Sequence, residues 1–234
     1  MISGLQKMSL LDFPGKVACT VFLGGCNLRC PFCHNSELFC GEQEEIMTID
    51  EFISFIKTRK GLLDAVCGSG GEPTLHKNLP ELFKGIKELG FATKLDTNGT
   101  NPKVLKNLVS ENLLDYVAMD VKNSPSKYAQ TVGVSDINIA PFEESIKYLI
   151  EGNVDYELRT TLVNELHDEA SILEMGEWLA SLVPGKKVKK LYLQSFVDRD
   201  TVLFSGLSAP SEKTLETFEN TLKPYVEEVV VRSK

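Results

Sequence analysis

The sequence predicts an α/β protein whose mainly parallel sheet forms a partial (β/α)6 barrel of the TIM type. Short apolar, strand-like runs alternate along the chain with amphipathic stretches of helical period. Repeated strand–helix units of this kind favour a parallel sheet with right-handed crossovers. Six units without a dinucleotide-type glycine-rich fingerprint favour the partial barrel, and an open doubly wound sheet is the main alternative.

Each predicted strand is a short apolar run that ends at a turn signal. The first, KVACTVFL, is rich in β-branched residues and ends at a pair of glycines, Gly24 and Gly25. A further strand-like run, EEVVVR, closes the chain. The six predicted barrel strands cover residues 16–23, 64–70, 91–99, 116–122, 155–163 and 189–196.

The predicted helices carry recognisable start and stop signals. Thr48 is a cap-like residue before a stretch whose apolar residues fall at helical spacing. Gly90 ends the second predicted helix and Pro102 opens the third. The predicted helices cover residues 48–60, 79–89, a segment from 102, 140–152, 168–182 and 210–223.

Composition and organisation indicate an ordinary globular protein. The chain has 234 residues, of which 42% are apolar and 25% charged. Because no long linker, low-complexity segment or evident repeat interrupts it, we expect a single domain over residues 1–234. Its core would span about residues 16–200, and a C-terminal helix and strand would occupy 211–232.

The net charge and the lengths of the apolar runs indicate which partners and which cellular location to expect. A formal net charge of −8 argues against a nucleic-acid partner, since such proteins normally carry a basic stripe. No apolar run approaches the ~20 residues that a membrane helix needs, and the N-terminus lacks the apolar region of a signal peptide. We therefore expect a cytoplasmic protein with neither nucleic acid nor membrane as its partner.

Six cysteines in a reducing compartment favour metal binding over a disulfide framework. Cys26, Cys30 and Cys33 form a CxxxCxxC array directly after the first predicted strand. Cys19 and Cys67 lie in strand-like runs and are expected in the core, where cysteine is a common small apolar residue. Cys40 lies in a loop that we expect to be partly exposed, and the sequence assigns it no role.

Three thiols on one loop leave several kinds of site open. Structural zinc sites usually pair two nearby ligands with a second pair downstream, and no second pair follows here. His34 is poorly placed to reach the same metal as Cys33, and His76 and His167 are expected to be ordinary surface residues. A [4Fe-4S] cluster with three thiolates would keep one iron open for a small molecule. An electron-transfer module would normally close all four positions.

The other polar motifs follow the remaining strands. They are SGGEP at 69–73, DTNG at 96–99, MDVK at 119–122, LRTTLV at 158–163 and LQSF at 193–196. All lie at or near the predicted carboxyl ends of strands, where α/β barrels and sheets place their functional sites.

These motifs together carry a family resemblance. The array CxxxCxxC, with Phe32 before its last cysteine and a GGE motif after the next strand, resembles the radical SAM superfamily. Within it, CNLRCPFCHN with DFPG, GGEP, DTNG and MDVK in the same order resembles the activating enzymes of glycyl radical enzymes. The similarity runs from about Ser9 to Phe196.

The resemblance implies a mechanism. Cys26, Cys30 and Cys33 would hold a [4Fe-4S] cluster, whose open iron is chelated by S-adenosylmethionine. Reductive cleavage would give a 5′-deoxyadenosyl radical that removes the α-hydrogen of one glycine on a partner glycyl radical enzyme. A flavodoxin- or ferredoxin-type protein would supply the electron, and no catalytic side chain beyond the cluster and S-adenosylmethionine is implied.

The resemblance also implies which residues bind the cofactor. Phe32 would lie against it. SGGEP is a common kind of tight turn, but glycines also let the backbone approach a ligand closely. Carbonyls near Gly70 and Gly71, with Glu72, would accept hydrogen bonds from the methionine ammonium.

The DTNG motif alone would be an ordinary turn. By resemblance, Asp96, Thr97, the Ala118 carbonyl and Asp120 would form a monovalent-cation site beside the cofactor carboxylate. A lysine partner such as Lys122 in place of the cation remains an open alternative.

Two further charged residues have alternative interpretations. Arg159 is either a solvated edge residue or a guanidinium near the carboxylate or ribose of S-adenosylmethionine. Asp12 would lie near the glycine-bearing loop of the partner protein, which an incomplete barrel would admit through a lateral opening.

The identity of the partner depends on the end of the sixth strand. Activators of pyruvate formate-lyase carry a histidine there, and this chain has Phe196. This difference favours anaerobic ribonucleoside-triphosphate reductase as the partner. An activator of pyruvate formate-lyase or a related lyase, and a radical SAM enzyme acting on a small molecule, remain alternatives.

Overall fold

A computed structural model describes residues 2–40 and 44–232 of the protein. Its strands are β1 (Ile2–Ser9), β2 (Ala18–Leu23), β3 (Ala65–Gly70), β4 (Ala92–Thr97), β5 (Tyr116–Asp120), β6 (Asp155–Leu162), β7 (Val188–Ser195) and β8 (Val226–Arg232). Its helices are α1 (Ile49–Lys57), α2 (Leu79–Glu88), α3 (Pro102–Ser110), α4 (Pro125–Val132), α5 (Ala140–Ile150), α6 (Glu169–Leu182) and α7 (Glu212–Leu222).

The eight strands of the described residues form a sheet in which each strand follows its sequence neighbour, from β1 to β8. β1 pairs antiparallel with β2, whereas β2 with β3, β3 with β4, β6 with β7 and β7 with β8 are parallel pairs. An α/β fold with a mainly parallel sheet is therefore confirmed. A doubly wound sheet reverses its strand order at a switch point, and this order has no reversal.

Contacts between backbone positions divide the chain into two compact units. The first unit comprises residues 1–27 and 35–118, and the second comprises residues 28–34 and 119–234. One boundary falls inside β5 and the others fall on either side of a short segment that carries Cys30 and Cys33. A single domain over residues 1–234 stays a prediction.

The predicted helix signals act as expected in α1 and α2. The Thr48 hydroxyl accepts a hydrogen bond from Glu51 N at 3.2 Å, and the Glu51 carboxylate accepts one from Thr48 N at 2.9 Å. This reciprocal capping box satisfies two backbone donors at the start of α1. Gly90, just beyond α2, has a φ of +87° that suits glycine.

Two elements were absent from the prediction, β1 and α4. β1 reads ISGLQKMS and lacks a clear alternation of apolar and polar residues, and its pairing with β2 contains two register shifts. Its strand conformation comes from pairing at the edge of the sheet. α4 has only eight residues, so its apolar period is too short to detect, although Pro125 opens it and left-handed Gly133 ends it.

Each unit has its own apolar core. In the first unit, Cys19 and Cys67 are fully buried in β2 and β3, which confirms their predicted core positions. In the second unit, the Tyr128 ring packs against Phe142 at 4.7 Å and Trp178 at 6.2 Å between ring centroids. Within the described part of the chain, no helix is long and apolar enough to cross a membrane.

Candidate active site

The glycine pair of SGGEP lies at the end of β3 in the first unit. A Cβ on Gly70, whose φ is +125°, would lie 2.4 Å from Leu23 O, and one on Gly71 would lie 2.0 Å from Gly25 O. Gly71 N donates to Leu23 O at 2.9 Å. The glycines are required here because the backbone after β2 passes directly against them. The prediction had attributed them to the approach of a ligand.

Glu72 is fully buried in the first unit and accepts four hydrogen bonds. The donors are Thr74 N and Oγ1, Thr97 Oγ1 at 2.7 Å and Asn98 N at 2.6 Å. Burial raises the pKa of its carboxyl group, although these hydrogen bonds act in the opposite direction. Three of these bonds end on Oε1, whereas Oε2 accepts only the one from Asn98 N. The carboxylate joins the ends of β3 and β4, and a direct contact between Glu72 and the cofactor stays a prediction.

Asp96 and Thr97 lie at the end of β4 in the same unit. Asp96 Oδ1 pairs with the ammonium of Lys94, and Asp96 Oδ2 accepts from Ser69 Oγ at 3.2 Å. The Thr97 hydroxyl donates to Glu72 and accepts from Gly99 N at 3.1 Å. Lys94, which the prediction missed, is itself buried. Alternation along a strand places it on the same face as Asp96, so its position could have been read from the sequence.

Two asparagines next to the cysteine array were also missed. Asn27 Oδ1 accepts from Asn98 Nδ2 at 2.9 Å, and Asn27 Nδ2 donates to Thr100 Oγ1 at 3.0 Å. Asn35 Nδ2 donates to the Gly70 carbonyl at 3.2 Å. Both asparagines belong to the first unit, where Asn35 contacts the end of β3 and Asn27 contacts the residues just after β4. The sequence held no local signal for these partners, which lie 35 and 71 residues away.

Cys30, Phe32 and Cys33 lie in the second unit. Cys30 and Phe32 are buried and Cys33 is half-buried. The ammonium of Lys122 lies 5.9 Å from the centroid of the Phe32 ring. Burial acts to lower the pKa of Lys122, but the negative charges of Asp120, Cys30 and Cys33 outweigh it and raise that pKa. A fixed positive charge near the two sulfur atoms stabilises their thiolate forms.

Asp120 ends β5 and carries two ion pairs in the second unit. Its Oδ2 lies 2.8 Å from Lys122 Nζ, and its Oδ1 lies 3.1 Å from Arg159 Nε. Burial alone would raise the pKa of Asp120, but the charges of Lys122 and Arg159 lower it to about 2. The interpretation of Arg159 as a solvated edge residue is wrong, because β6 lies between β5 and β7 and the guanidinium is mostly buried.

The three histidines have structural partners. His34 Nε2 lies 2.7 Å from Val197 O, and its ring stacks on Phe196 with centroids 5.8 Å apart. His167 is buried, with Nε2 donating to Lys122 O at 2.9 Å and Nδ1 accepting from Val163 N at 3.1 Å. His76 Nε2 lies 2.6 Å from Gly24 O. The prediction of ordinary surface positions is wrong for His167, because it anchors the backbone just after Asp120, and His76 is only half-exposed.

Asp12 lies in the loop after β1 in the first unit. Its Oδ2 accepts from Thr20 Oγ1 at 2.6 Å, and its backbone N donates to Ser9 Oγ at 3.3 Å. The residue is half-buried next to exposed Leu10 and Leu11. A role in contacting the partner stays a prediction.

The cysteine array has two possible metal occupants, a single zinc ion and a [4Fe-4S] cluster. None of the six cysteines forms a disulfide, and Cys26 and Cys33 are half-buried. Among residues 2–40 and 44–232, no three His, Cys, Asp or Glu side chains are grouped closely enough for a single metal ion. A structural zinc ion needs such a group. A [4Fe-4S] cluster instead binds each thiolate on a different iron, so the donor set of Cys26, Cys30 and Cys33 fits that group.

Comparison with known proteins decides between the alternatives. The family model of the radical SAM superfamily matches residues 20–176, which is more than half of the chain. This chain belongs to the radical SAM superfamily. It is 34% identical, over all of its length and 96% of the relative, to a Methanocaldococcus jannaschii protein named as a glycyl-radical enzyme activating enzyme.

Two further relatives extend the comparison of this radical SAM protein. It is 26% identical to the pyruvate formate-lyase 1-activating enzyme of Escherichia coli, over 98% of the chain and 97% of that enzyme. A domain of the pyruvate formate-lyase-activating enzyme from Bacteroides vulgatus has a TM-score of 0.57 at 22% identity, over 72% of this chain and 99% of that one. The structural similarity supports the predicted partial-barrel fold.

The comparisons confirm the predicted family, class of activity and cofactors. The protein is a radical SAM enzyme of the glycyl radical activating family, and its cofactors are a [4Fe-4S] cluster and S-adenosylmethionine. Enzymes of this family act on a protein partner.

Proposed function

We propose that this enzyme removes the α-hydrogen of one glycine on anaerobic ribonucleoside-triphosphate reductase, with Cys26, Cys30 and Cys33 holding its cluster. The observation that carries the proposal is the array of three thiols directly after β2, in a chain that belongs to the activating enzymes. The same proposal gives it a cytoplasmic location and an electron donor of the flavodoxin or ferredoxin type.

When bound, the cofactors would supply the radical chemistry, and the protein would orient and enclose them. The three cysteines would hold the irons as thiolates. In the second unit, the ammonium of Lys122 offsets the negative charge near Cys30 and Cys33. Phe32 precedes Cys33, and its buried ring lies 5.9 Å from the Lys122 ammonium. We propose that this ring is an apolar surface for the cofactor.

The remaining cofactor contacts are proposed from the ends of the strands. A carbonyl oxygen has two lone pairs, so the Gly70 carbonyl can accept from the methionine ammonium in addition to Asn35. Gly71 acts through the backbone. Arg159 and Lys122, both paired with Asp120, provide positive charge for the cofactor carboxylate. Asp12 is proposed to contact the partner.

Phe196 favours the reductase as the partner. Its side chain is buried at the end of β7 and stacks on His34, so it belongs to the protein interior. In pyruvate formate-lyase activators, by the resemblance described above, a histidine at this position lies near S-adenosylmethionine. A buried phenylalanine cannot donate or accept the hydrogen bonds of that histidine.

A second candidate is the activation of pyruvate formate-lyase. It is favoured because the sequence similarity to the Escherichia coli pyruvate formate-lyase 1-activating enzyme extends over nearly the full length of both proteins. A shared fold alone does not require similarity of that extent. The two candidates share every step except recognition of the partner, so only a direct comparison of partners separates them.

The test uses protein reconstituted with iron and sulfide under anaerobic conditions. We expect about four irons per chain, cleavage of S-adenosylmethionine to 5′-deoxyadenosine after reduction, and a glycyl radical signal by electron paramagnetic resonance with the reductase. Cys30→Ser should lose all three results, whereas Cys40→Ser, at an exposed position outside the array, should keep them. A radical signal on pyruvate formate-lyase alone would favour the second candidate. Reconstituted enzyme that never cleaves the cofactor would contradict both.

A further inference from the structure

Lys94 is a buried charged residue that has no role in the function proposed above. Its side chain is 2% exposed, although it lies in the middle of β4. Its ammonium pairs with Asp96 and lies 3.8 Å from the sulfur of Cys67, which is its register partner on β3. Removing an ammonium group from water is strongly unfavourable unless a partner compensates for it. A buried lysine beside a predicted cofactor-binding aspartate therefore requires an explanation.

The two members of the pair differ in exposure. The Asp96 side chain is 16% exposed, whereas the Lys94 side chain is almost completely buried. Solvent, or a ligand in its place, can therefore reach the carboxylate while the ammonium lies behind it. Asp96 also accepts from Ser69 Oγ through its second oxygen. Both oxygens of Asp96 thus have donors from the protein, and both donors fix its orientation.

The other two side chains of the expected monovalent-cation site, Thr97 and Asp120, are also engaged. The Thr97 hydroxyl donates its proton to Glu72 and accepts from Gly99 N. In the second unit, each oxygen of Asp120 faces a cationic side chain, Lys122 or Arg159. The negative charges that would attract a cation are therefore already balanced by fixed side chains in each unit. The residues present do not fit a bound monovalent cation.

We propose that the Lys94 ammonium is a built-in cation beside Asp96, so that this enzyme binds S-adenosylmethionine without a monovalent cation. The inference rests on the proposed function only in placing the cofactor carboxylate near Asp96. An unbalanced aspartate would repel that carboxylate, and an opposite charge within hydrogen-bonding distance removes the repulsion. Lysine suits this role because its ammonium is a compact point charge on a flexible chain. Lys94 is thus a positioning residue that acts through Asp96.

The first experiment measures the dissociation constant of S-adenosylmethionine for the reconstituted wild-type enzyme by equilibrium dialysis. One buffer contains potassium and sodium, and the other contains tetramethylammonium, which is too large for a carboxylate-lined cation site. We expect the dissociation constant to differ by less than about twofold, which corresponds to less than about 0.5 kcal/mol. An increase of about tenfold or more in tetramethylammonium would overturn the proposal, whatever happens with variants.

The second experiment uses Lys94→Met, which removes the charge but keeps most of the side-chain volume. We expect its affinity for S-adenosylmethionine to fall by about tenfold in tetramethylammonium and to recover when potassium or sodium is added. Lys87→Met is the matched control, because it removes an exposed ion pair with Asp115 in the same unit. The control should bind equally in both buffers. Equal binding by Lys94→Met in both buffers would overturn the proposal.

The readouts separate this inference from the proposed function. Affinity for S-adenosylmethionine requires no partner protein, so failure to form a glycyl radical on either candidate partner would leave it unaffected. If Lys94→Met does not fold, because Asp96 is left without its counter-charge, the cation dependence of the wild-type enzyme decides the question by itself.

Discussion

At the scale of single residues, Glu72 shows how one motif residue can hold the ends of two strands together. Its carboxylate joins Thr74, beyond the glycine pair, to Thr97 and Asn98 at the end of β4. Two of its four donors are backbone N–H groups, which cannot rotate to suit another side chain. Any substitution therefore leaves donors without an acceptor inside the first unit.

Glu72→Gln should destabilise the protein by about 1 to 3 kcal/mol, because the amide nitrogen of glutamine cannot accept a hydrogen bond and would face at least one buried donor. Urea unfolding followed by circular dichroism measures this free energy. Glu81→Gln, on the exposed face of α2, is the matched control and should change it little. A Glu72→Gln protein of unchanged stability with a large loss of affinity for S-adenosylmethionine would favour the predicted direct contact over this structural role.

The sequence located functional positions better than it described their partners. Asp96 and Asp120 were predicted because their motifs lie at the ends of strands. In the structure Asp96 is the last residue but one of β4, and Asp120 is the last residue of β5. The question of a cation or a lysine beside Asp120 depends on distances that the sequence does not give, and Lys122 and Arg159 both reach it. Asn27 and Asn35 could not be predicted, because their partners lie far away in sequence and amide side chains occur in many ordinary turns.

At the scale of elements, strand–helix alternation predicted every strand from β2 to β7. The signal was clear there because these strands are largely buried and lie between amphipathic helical stretches. β1 was missed because an edge strand depends on its pairing with β2 more than on its own pattern. In the first unit, β2, β3 and β4 end at the start of the cysteine loop, the glycine pair and Asp96–Thr97.

The capping box of α1 gives a prediction for one element. Thr48→Ala should destabilise the protein by about 1 kcal/mol, because Glu51 N loses its acceptor and Glu51 loses a donor. The melting temperature should fall by about 2 to 4 °C in a protein of this size. Differential scanning calorimetry measures it. Thr58→Ala, at the other end of α1, removes a hydroxyl that bonds only Phe55 O and should cause a smaller change. An equal change at both positions would contradict the capping role.

At the scale of the whole molecule, acidic residues outnumber basic ones, yet several carboxylates are held by cations. Hydrogen bonds from Lys127 and Ser171 lower the pKa of Asp168 to about 2. Although burial opposes it, Lys87 and Thr93 lower the pKa of Asp115. The charges of Lys122 and Arg159 lower the pKa of Asp120 to about 2, again against the effect of burial. Carboxylates of this kind make folding stability depend on pH.

The last prediction concerns acid stability. The carboxyl group of Asp120 has an ordinary pKa of 3.8 when unfolded and about 2 when folded, so the unfolded chain binds its proton first as the pH falls. Its stabilising contribution is therefore complete above the unfolded value and is lost from about pH 5 to about pH 2. Asp120→Asn lacks this contribution at every pH. The difference in unfolding free energy between wild-type and Asp120→Asn protein, measured with urea on cluster-free samples, should shrink steadily over that range. Asp136→Asn, in an exposed segment, should show no such trend. A difference for Asp120→Asn that stays constant down to about pH 2 would show that the ion pairs with Lys122 and Arg159 contribute nothing to folding.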